Sequence, residues 1–218
     1  MSDDSHLNQA LKLYFVMGSQ DVGLYDPLTT LEIALKSGIS CYQWREKGPH
    51  SLKGMKRIAF AHDARQLCDH YHVPFFIDDD VELALELEAD GVHVGQKDEG
   101  AQSVRDRIGA DMWLGVSAHS FEEAERARAD GADYIGIGPY KPTQSKADAE
   151  SPVGSELFKE LTKGGYPLPM VAIGGVTPDD VPTILSAGAA GVAVISAISK
   201  SADPAKAVDR FLSELNVF

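Results

Sequence analysis

Short runs rich in β-branched and aromatic residues alternate eight times along this 218-residue chain with longer amphipathic stretches, and that count most restricts the fold. The strand-like runs are LKLYFVMG (11–18), ISCYQWR (39–45), PFFIDD (74–79), GVHVGQ (91–96), WLGVSA (113–118), YIGIGP (134–139), MVAIGG (170–175) and GVAVISAI (191–198). Helices are placed between and after them at 28–37, 52–71, 81–87, 101–108, 121–129, 154–161, 178–187 and 204–215. Alternation of this kind builds a parallel sheet, and eight βα units close into a (β/α)8 TIM barrel of the α/β class. An open doubly wound sheet is the weaker alternative, because no G-x-G-x-x-G follows the first strand. One barrel domain is expected over 1–218, with 1–10 an extra N-terminal segment.

Local signals agree with this division. Ser120 with Glu123, and Thr177 before Pro178, mark helix starts, while Gly38, Gly131 and Gly188 mark helix stops. Twenty Lys and Arg against 33 Asp and Glu give a net charge of −13, which repels nucleic acid and anionic membranes. A phosphorylated ligand must then be held by local groups. No apolar run approaches the ~18 residues of a bilayer span, and the start, MSDDSHLNQA, is acidic where a signal peptide is basic and then apolar. A cytoplasmic protein is expected, with Cys41 and Cys68 as reduced packing residues, since they offer no C-x-x-C spacing.

In a barrel of this kind reactive side chains gather at the carboxyl ends of the strands. The second strand ends Gln43-Trp44-Arg45-Glu46-Lys47, and period two puts Gln43, Arg45 and Lys47 on one side, a clamp for anionic oxygens; an exposed charged loop is the plainer reading. The third ends Asp78-Asp79-Asp80 and the fourth Gly95-Gln96-Lys97-Asp98. Adjacent strands lie about 5 Å apart, so Asp79 and Asp98 are the favoured pair for Mg²⁺, with helix capping the alternative and the role expected of Asp80. His93 reads as a hydrogen-bonded interior residue, and Ser117 as a phosphate donor or a turn residue. The irregular stretch 139–152 carries Pro142-Thr143-Gln144-Ser145-Lys146, a phosphate-wrapping composition. The strongest single signal joins Gly174-Gly175 after strand seven to Ile195-Ser196 after strand eight, the usual barrel phosphate site. Two anion sites suggest a transferase, although an isomerase also fits. No Cys/His dyad, Ser-His-Asp order or Walker lysine points to a hydrolase or kinase.

These motifs, from LYFVMG through QWREK, DDDVELAL, GVHVGQKD, LGVSAHS, GIGPYKPTQSK and IGGV to VISAIS, resemble the thiamine-phosphate synthase family over nearly the whole chain. The resemblance implies that Gln43, Trp44, Arg45, Glu46 and Lys47 bind a hydroxymethylpyrimidine diphosphate, and that Asp79 and Asp98 hold Mg²⁺. Ser117 and Lys146 would contact the diphosphate; Thr143, Gln144, Ser145, Gly175, Ile195 and Ser196 would bind a thiazole phosphate. Arg45, Lys47, Ser117 and Lys146 would be the catalytic set. Implied partners are the two small phosphorylated substrates; a homo-oligomer is compatible with the resemblance.

Two positions depart from the family pattern. Asp78 stands where the family has Asn, so this carboxylate either joins the cation shell or turns away, and Ser145 replaces a threonine. The implied reaction displaces diphosphate from the pyrimidine CH₂ by the thiazole nitrogen, with CO₂ lost where the thiazole carries a carboxylate. A thiazole tautomerase of the same barrel family and a non-catalytic barrel that binds thiamine phosphate are the alternatives.

Overall fold

The structure, a computed structural model, describes residues 3–143 and 151–216. Eight parallel strands form one closed barrel in sequence order: β1 (Leu13–Met17), β2 (Cys41–Trp44), β3 (Phe75–Asp78), β4 (Gly91–Val94), β5 (Trp113–Ala118), β6 (Tyr134–Ile137), β7 (Met170–Ile173) and β8 (Gly191–Val194). β8 pairs with β1 through Leu13 opposite Val192 and Phe15 opposite Val194, which closes the ring.

Period two sorts every strand between two cores. Leu13, Phe15 and Met17 of β1, Tyr42 and Trp44 of β2, and Phe75 and Ile77 of β3 point outward into a layer shared with the helices. Tyr14, Val16, Cys41, Phe76, Tyr134, Val171 and Ala193 point inward and fill the barrel. A fully buried Phe, Leu or Ile contributes about 1.5–3 kcal/mol relative to exposure, so the outer layer supplies most of the cohesion between sheet and helices.

The helices are α1 (Asp3–Ala10), α2 (Pro27–Ser37), α3 (Gly54–Tyr71), α4 (Val81–Glu86), α5 (Ala101–Ile108), α6 (Phe121–Ala129), α7 (Glu156–Lys163), α8 (Val181–Ser186), α9 (Ser196–Ser199) and α10 (Pro204–Leu215). Asp26 caps α2 by accepting from the Thr29 N–H, and Gly38 ends it in the left-handed region at φ 101°. Ser120 caps α6 through the Glu123 N–H.

Most strands are shorter than their sequence runs, and several helix boundaries differ from the sequence reading. The helix expected at 52–71 starts at Gly54, and the one expected at 154–161 runs Glu156–Lys163. The helix expected at 178–187 opens as a 3₁₀ turn, Pro178–Asp180, because Thr177 and Asp180 bond each other's backbone in a tight capping box. The eighth strand stops at Val194, and the rest of its apolar run turns into α9. The N-terminal segment is helical, and Leu7, Ala10 and Leu11 pack beneath Tyr14, Phe76 and Tyr134. Among the described residues no helix is long and apolar enough to cross a membrane.

Candidate active site

The carboxyl ends of the strands surround a cavity of about 380 Å³, lined on one side by Arg45, Lys47, Asp78, Asp79 and Asp98 and on the other by Gly174, Gly175, Ile195 and Ser196. Ser117 and Thr143 also face it. Of the residues singled out from sequence, these eleven share one space.

The β2–β4 wall is an ion-pair cluster. Arg45 is buried, and its Nε lies 3.3 Å from Asp78 Oδ2. Lys47 Nζ lies 3.6 Å from Asp78 Oδ2 and 3.8 Å from Asp98 Oδ1, and it touches Asp79 Oδ2. Asp78 thus turns toward the two cations of β2. Within this cluster three carboxylates face two cations, and every acidic donor is an oxygen. Asp79 is in the left-handed region at φ 61°, held there by its own N–H to the His93 carbonyl at 2.8 Å and by the Asp80 N–H to the Asp78 carbonyl at 2.8 Å. The turn aims the Asp79 carboxylate inward, and aspartate tolerates this conformation better than most residues. Asp98 is fixed by the Gly95 N–H, 3.0 Å from its Oδ2. A Cβ on Gly95 would lie 2.8 Å from that oxygen, so the glycine admits the contact.

The β7–β8 wall is made of backbone. Gly174 (φ 93°) and Gly175 (φ 68°) take a path open chiefly to glycine, and a Cβ on Gly175 would meet the Pro142 carbonyl at 2.9 Å. The Tyr140 and Lys141 N–H groups donate to the Ile173 and Gly174 carbonyls, tying the loop after β6 to this wall, and the Val153 N–H closes the loop's base on the Pro139 carbonyl. Lys141 pairs with Asp180. Burial pushes the Asp180 carboxyl up, but bonds from Lys141 and Thr177 outweigh it and leave the group below its ordinary value.

Three residues named from the resemblance stand elsewhere. Trp44 is on the outer face of β2, stacked on Phe60 at 6.5 Å with the Arg57 guanidinium 4.9 Å over its ring. Glu46 accepts from the Ser19 N–H and hydroxyl and from the Leu52 N–H, which ties the loops after β1 and β2 together. Gln43 is buried below the cavity, donating to the Tyr14 hydroxyl at 3.2 Å. The expected contributions of Gln144, Ser145 and Lys146 lie outside the described residues. Asp80 caps α4 through the Leu83 N–H, and its other oxygen pairs with Arg57. His93 is hydrogen-bonded inside the barrel, between Ser117 and Tyr134. Cys41 and Cys68 are buried free thiols, and burial raises both well above the ordinary thiol range.

The sequence reading missed His119 and Glu123. Both line the cavity, and His119 Nδ1 lies 3.1 Å from Glu123 Oε2, which also accepts the His119 N–H at 2.7 Å. The usable signal was period two past the end of β5, which carries Ser117 and His119 to one face. Lys97 and Gln96 also border the cavity, and Gln96 reaches the Ser117 carbonyl.

A closed (β/α)8 barrel with an acid-and-base cluster and a glycine cradle at the carboxyl ends of its strands belongs to the class of barrel enzymes that take phosphorylated substrates. The model of the thiamine monophosphate synthase family matches residues 13–198. A thiamine-phosphate synthase of Bacillus licheniformis is 50% identical over 205 residues, covering 94% of this chain and 91% of that protein. One of Geobacillus kaustophilus is 48% identical over 208 residues, covering 95% and 93%. The solved thiamine phosphate pyrophosphorylase of Pyrococcus furiosus superposes with a TM-score of 0.85 at 31% identity, covering 97% of this chain and 98% of that one. The chain belongs to the thiamine monophosphate synthase family.

Proposed function

We propose that the chain is a thiamine-phosphate synthase that joins 4-amino-2-methyl-5-hydroxymethylpyrimidine diphosphate to hydroxyethylthiazole phosphate, or its carboxylate, giving thiamine phosphate and diphosphate, with CO₂ in the second case. Beyond family membership, the observation that carries this reading is the single cavity with two unlike anion-facing walls. The glycine cradle of β7 and the Ile195-Ser196 backbone suit a monophosphate. The Arg45, Lys47, Asp79 and Asp98 cluster suits a diphosphate with its cation.

Mg²⁺ fits that cluster. All its acidic donors are oxygens, and an ammonium, that of Lys47, already lies among them. Among the described residues no group of three acidic, His or Cys ligands forms a complete site, so Asp79 and Asp98 would hold the ion together with diphosphate oxygens, the usual division for Mg²⁺. Bound there, the ion would neutralise charge that grows on the departing diphosphate. Arg45 and Lys47 add positive charge on the same side, and electrostatic stabilisation of this kind is commonly the largest catalytic contribution. The C–O bond breaks with its electron pair leaving on diphosphate, and the thiazole nitrogen's lone pair forms the new C–N bond. An aminopyrimidine CH₂ carbon ionises readily, so no protein nucleophile is needed. A cytoplasmic location fits the two free thiols.

The test is diphosphate release from purified protein, with each substrate omitted in turn and with Mg²⁺ present or chelated. Release is expected only with both substrates and Mg²⁺. Binding of thiazole phosphate with no diphosphate released under any condition would overturn the reading in favour of a tautomerase or a binding barrel.

A further inference from the structure

A chain of polar groups runs from the cavity into the middle of the barrel. Ser117 Oγ lies 3.0 Å from His93 Nε2, His93 Nδ1 lies 3.1 Å from the Tyr134 hydroxyl, and the Tyr134 and Tyr14 hydroxyls are 2.9 Å apart. Gln43 Nε2 closes it, donating to Tyr14 at 3.2 Å. Five different strands each supply one member. Glycines make the space: a Cβ on Gly115 would lie 2.3 Å from the Tyr134 hydroxyl and 2.4 Å from His93 Nδ1, and one on Gly136 would lie 3.1 Å from His93 Cε1. Buried polar groups are tolerated when all are satisfied, and such networks then hold a unique arrangement.

Counting protons gives the chain a direction. An amide nitrogen only donates, so the Tyr14 oxygen accepts from Gln43 and has one proton to give. Burial pushes both tyrosine hydroxyls well above their ordinary range, so each keeps its proton. Tyr14 therefore donates to Tyr134, and Tyr134 donates to His93 Nδ1. That nitrogen must be bare, which places the imidazole proton on Nε2, facing Ser117 Oγ. The Ser117 oxygen is then occupied as an acceptor, and its own proton is free to be given into the cavity. The opposite sense would strand the Tyr14 proton among apolar neighbours, an arrangement that buried groups rarely adopt.

We propose that this chain fixes His93 as the Nε2–H tautomer and so makes Ser117 a one-way hydrogen-bond donor toward the departing diphosphate. Tyr14, Tyr134 and His93 are positioning residues that act through Ser117. A hydroxyl already turned outward meets growing negative charge without reorienting, which is what preorganisation requires. The identity of the anion rests on the synthase reading above, whereas the tautomer is a property of the protein without substrate.

The experiment uses ¹⁵N-histidine-labelled full-length protein without substrates, with the His93 signals assigned by their loss in His93→Gln. Long-range ¹H–¹⁵N spectra are expected to show a bare Nδ1 and a protonated Nε2. In Tyr134→Phe, which removes the donor to Nδ1, both tautomers should be populated. The same variant should lose about tenfold in kcat, the scale of losing a group that orients a ligand-contacting residue, with KM for thiazole phosphate unchanged. A proton on Nδ1 in the unmodified protein, or full kcat in Tyr134→Phe, would overturn the proposal. If the unmodified protein releases no diphosphate, the reading of the reaction and the claim about its leaving group fall together; the tautomer result then decides the orientation by itself.

Discussion

Asp79 combines a carboxylate that faces the cavity with a backbone conformation, φ 61°, that most residues resist. Substituting asparagine separates the two, because Asn enters the left-handed region about as readily as Asp while carrying no charge. Asp79→Asn should melt within about 0.5 kcal/mol of the parent, as substitutions without packing loss usually do. Its half-saturating Mg²⁺ for diphosphate release should rise about tenfold or more, the range in which weakened metal sites fall. Asp79→Ala should share the metal defect and lose a further ~1 kcal/mol to backbone strain. An unchanged Mg²⁺ requirement in Asp79→Asn would remove Asp79 from the cation site. At this scale the sequence was legible wherever a strand's period of two decided the matter. It turned Gln43, Arg45 and Lys47 to one side and Trp44 to the other, as observed. What it did not reveal were partners supplied by another loop. Glu46 bonds Ser19 across 27 positions of chain, and Asp78 finds Arg45 only because β2 and β3 pair as Gln43 opposite Phe76, a register that no single segment encodes.

The junction of β5 and α6 shows how an element boundary holds the site. Ser117 and His119 lie at the strand's end, and Ser120 starts the helix by accepting the Glu123 N–H at 3.2 Å. Acidic residues Glu122 and Glu123 in the first turn and Arg126 and Arg128 in the last complement the helix dipole. Removing the cap in Ser120→Ala should lower stability by about 1 kcal/mol. In a protein of this length that corresponds to a melting point about 2–4 °C lower. Urea unfolding would check it through a lower midpoint with unchanged slope; an unchanged midpoint would mean that the cap contributes nothing. Boundaries marked by such residues were readable, including the start of α6. The end of β8 was not. VISAI is apolar apart from Ser196, and periodicity cannot distinguish a buried strand from one turn of helix over so few residues.

For the molecule as a whole, the barrel's two ends have different duties, and closure itself was legible because eight regular units leave no unpaired edge once β8 meets β1. The carboxyl end holds the cavity, lined by Arg45, Lys47 and the glycine cradle in a chain whose net charge is −13. The amino end is sealed by α1, whose Leu7, with Leu11 just beyond it, packs under the inward side chains of β1, β3 and β6. No periodic partner in the sequence announced that seal; its apolar residues have meaning only against a barrel floor assembled from three separate strands. Leu11 is fully buried, so Leu11→Ala opens a cavity at this floor and should cost about 2–5 kcal/mol. The melting point should fall by about 5–15 °C. Since no cavity-lining residue comes from α1, kcat and KM at 25 °C should stay within about twofold of the parent, the division between floor and mouth that this architecture imposes. Parallel thermal melts and steady-state diphosphate release decide the point. A kcat that falls along with the melting point would show that the floor and the mouth are coupled, with the buried tyrosines between them as the connecting layer.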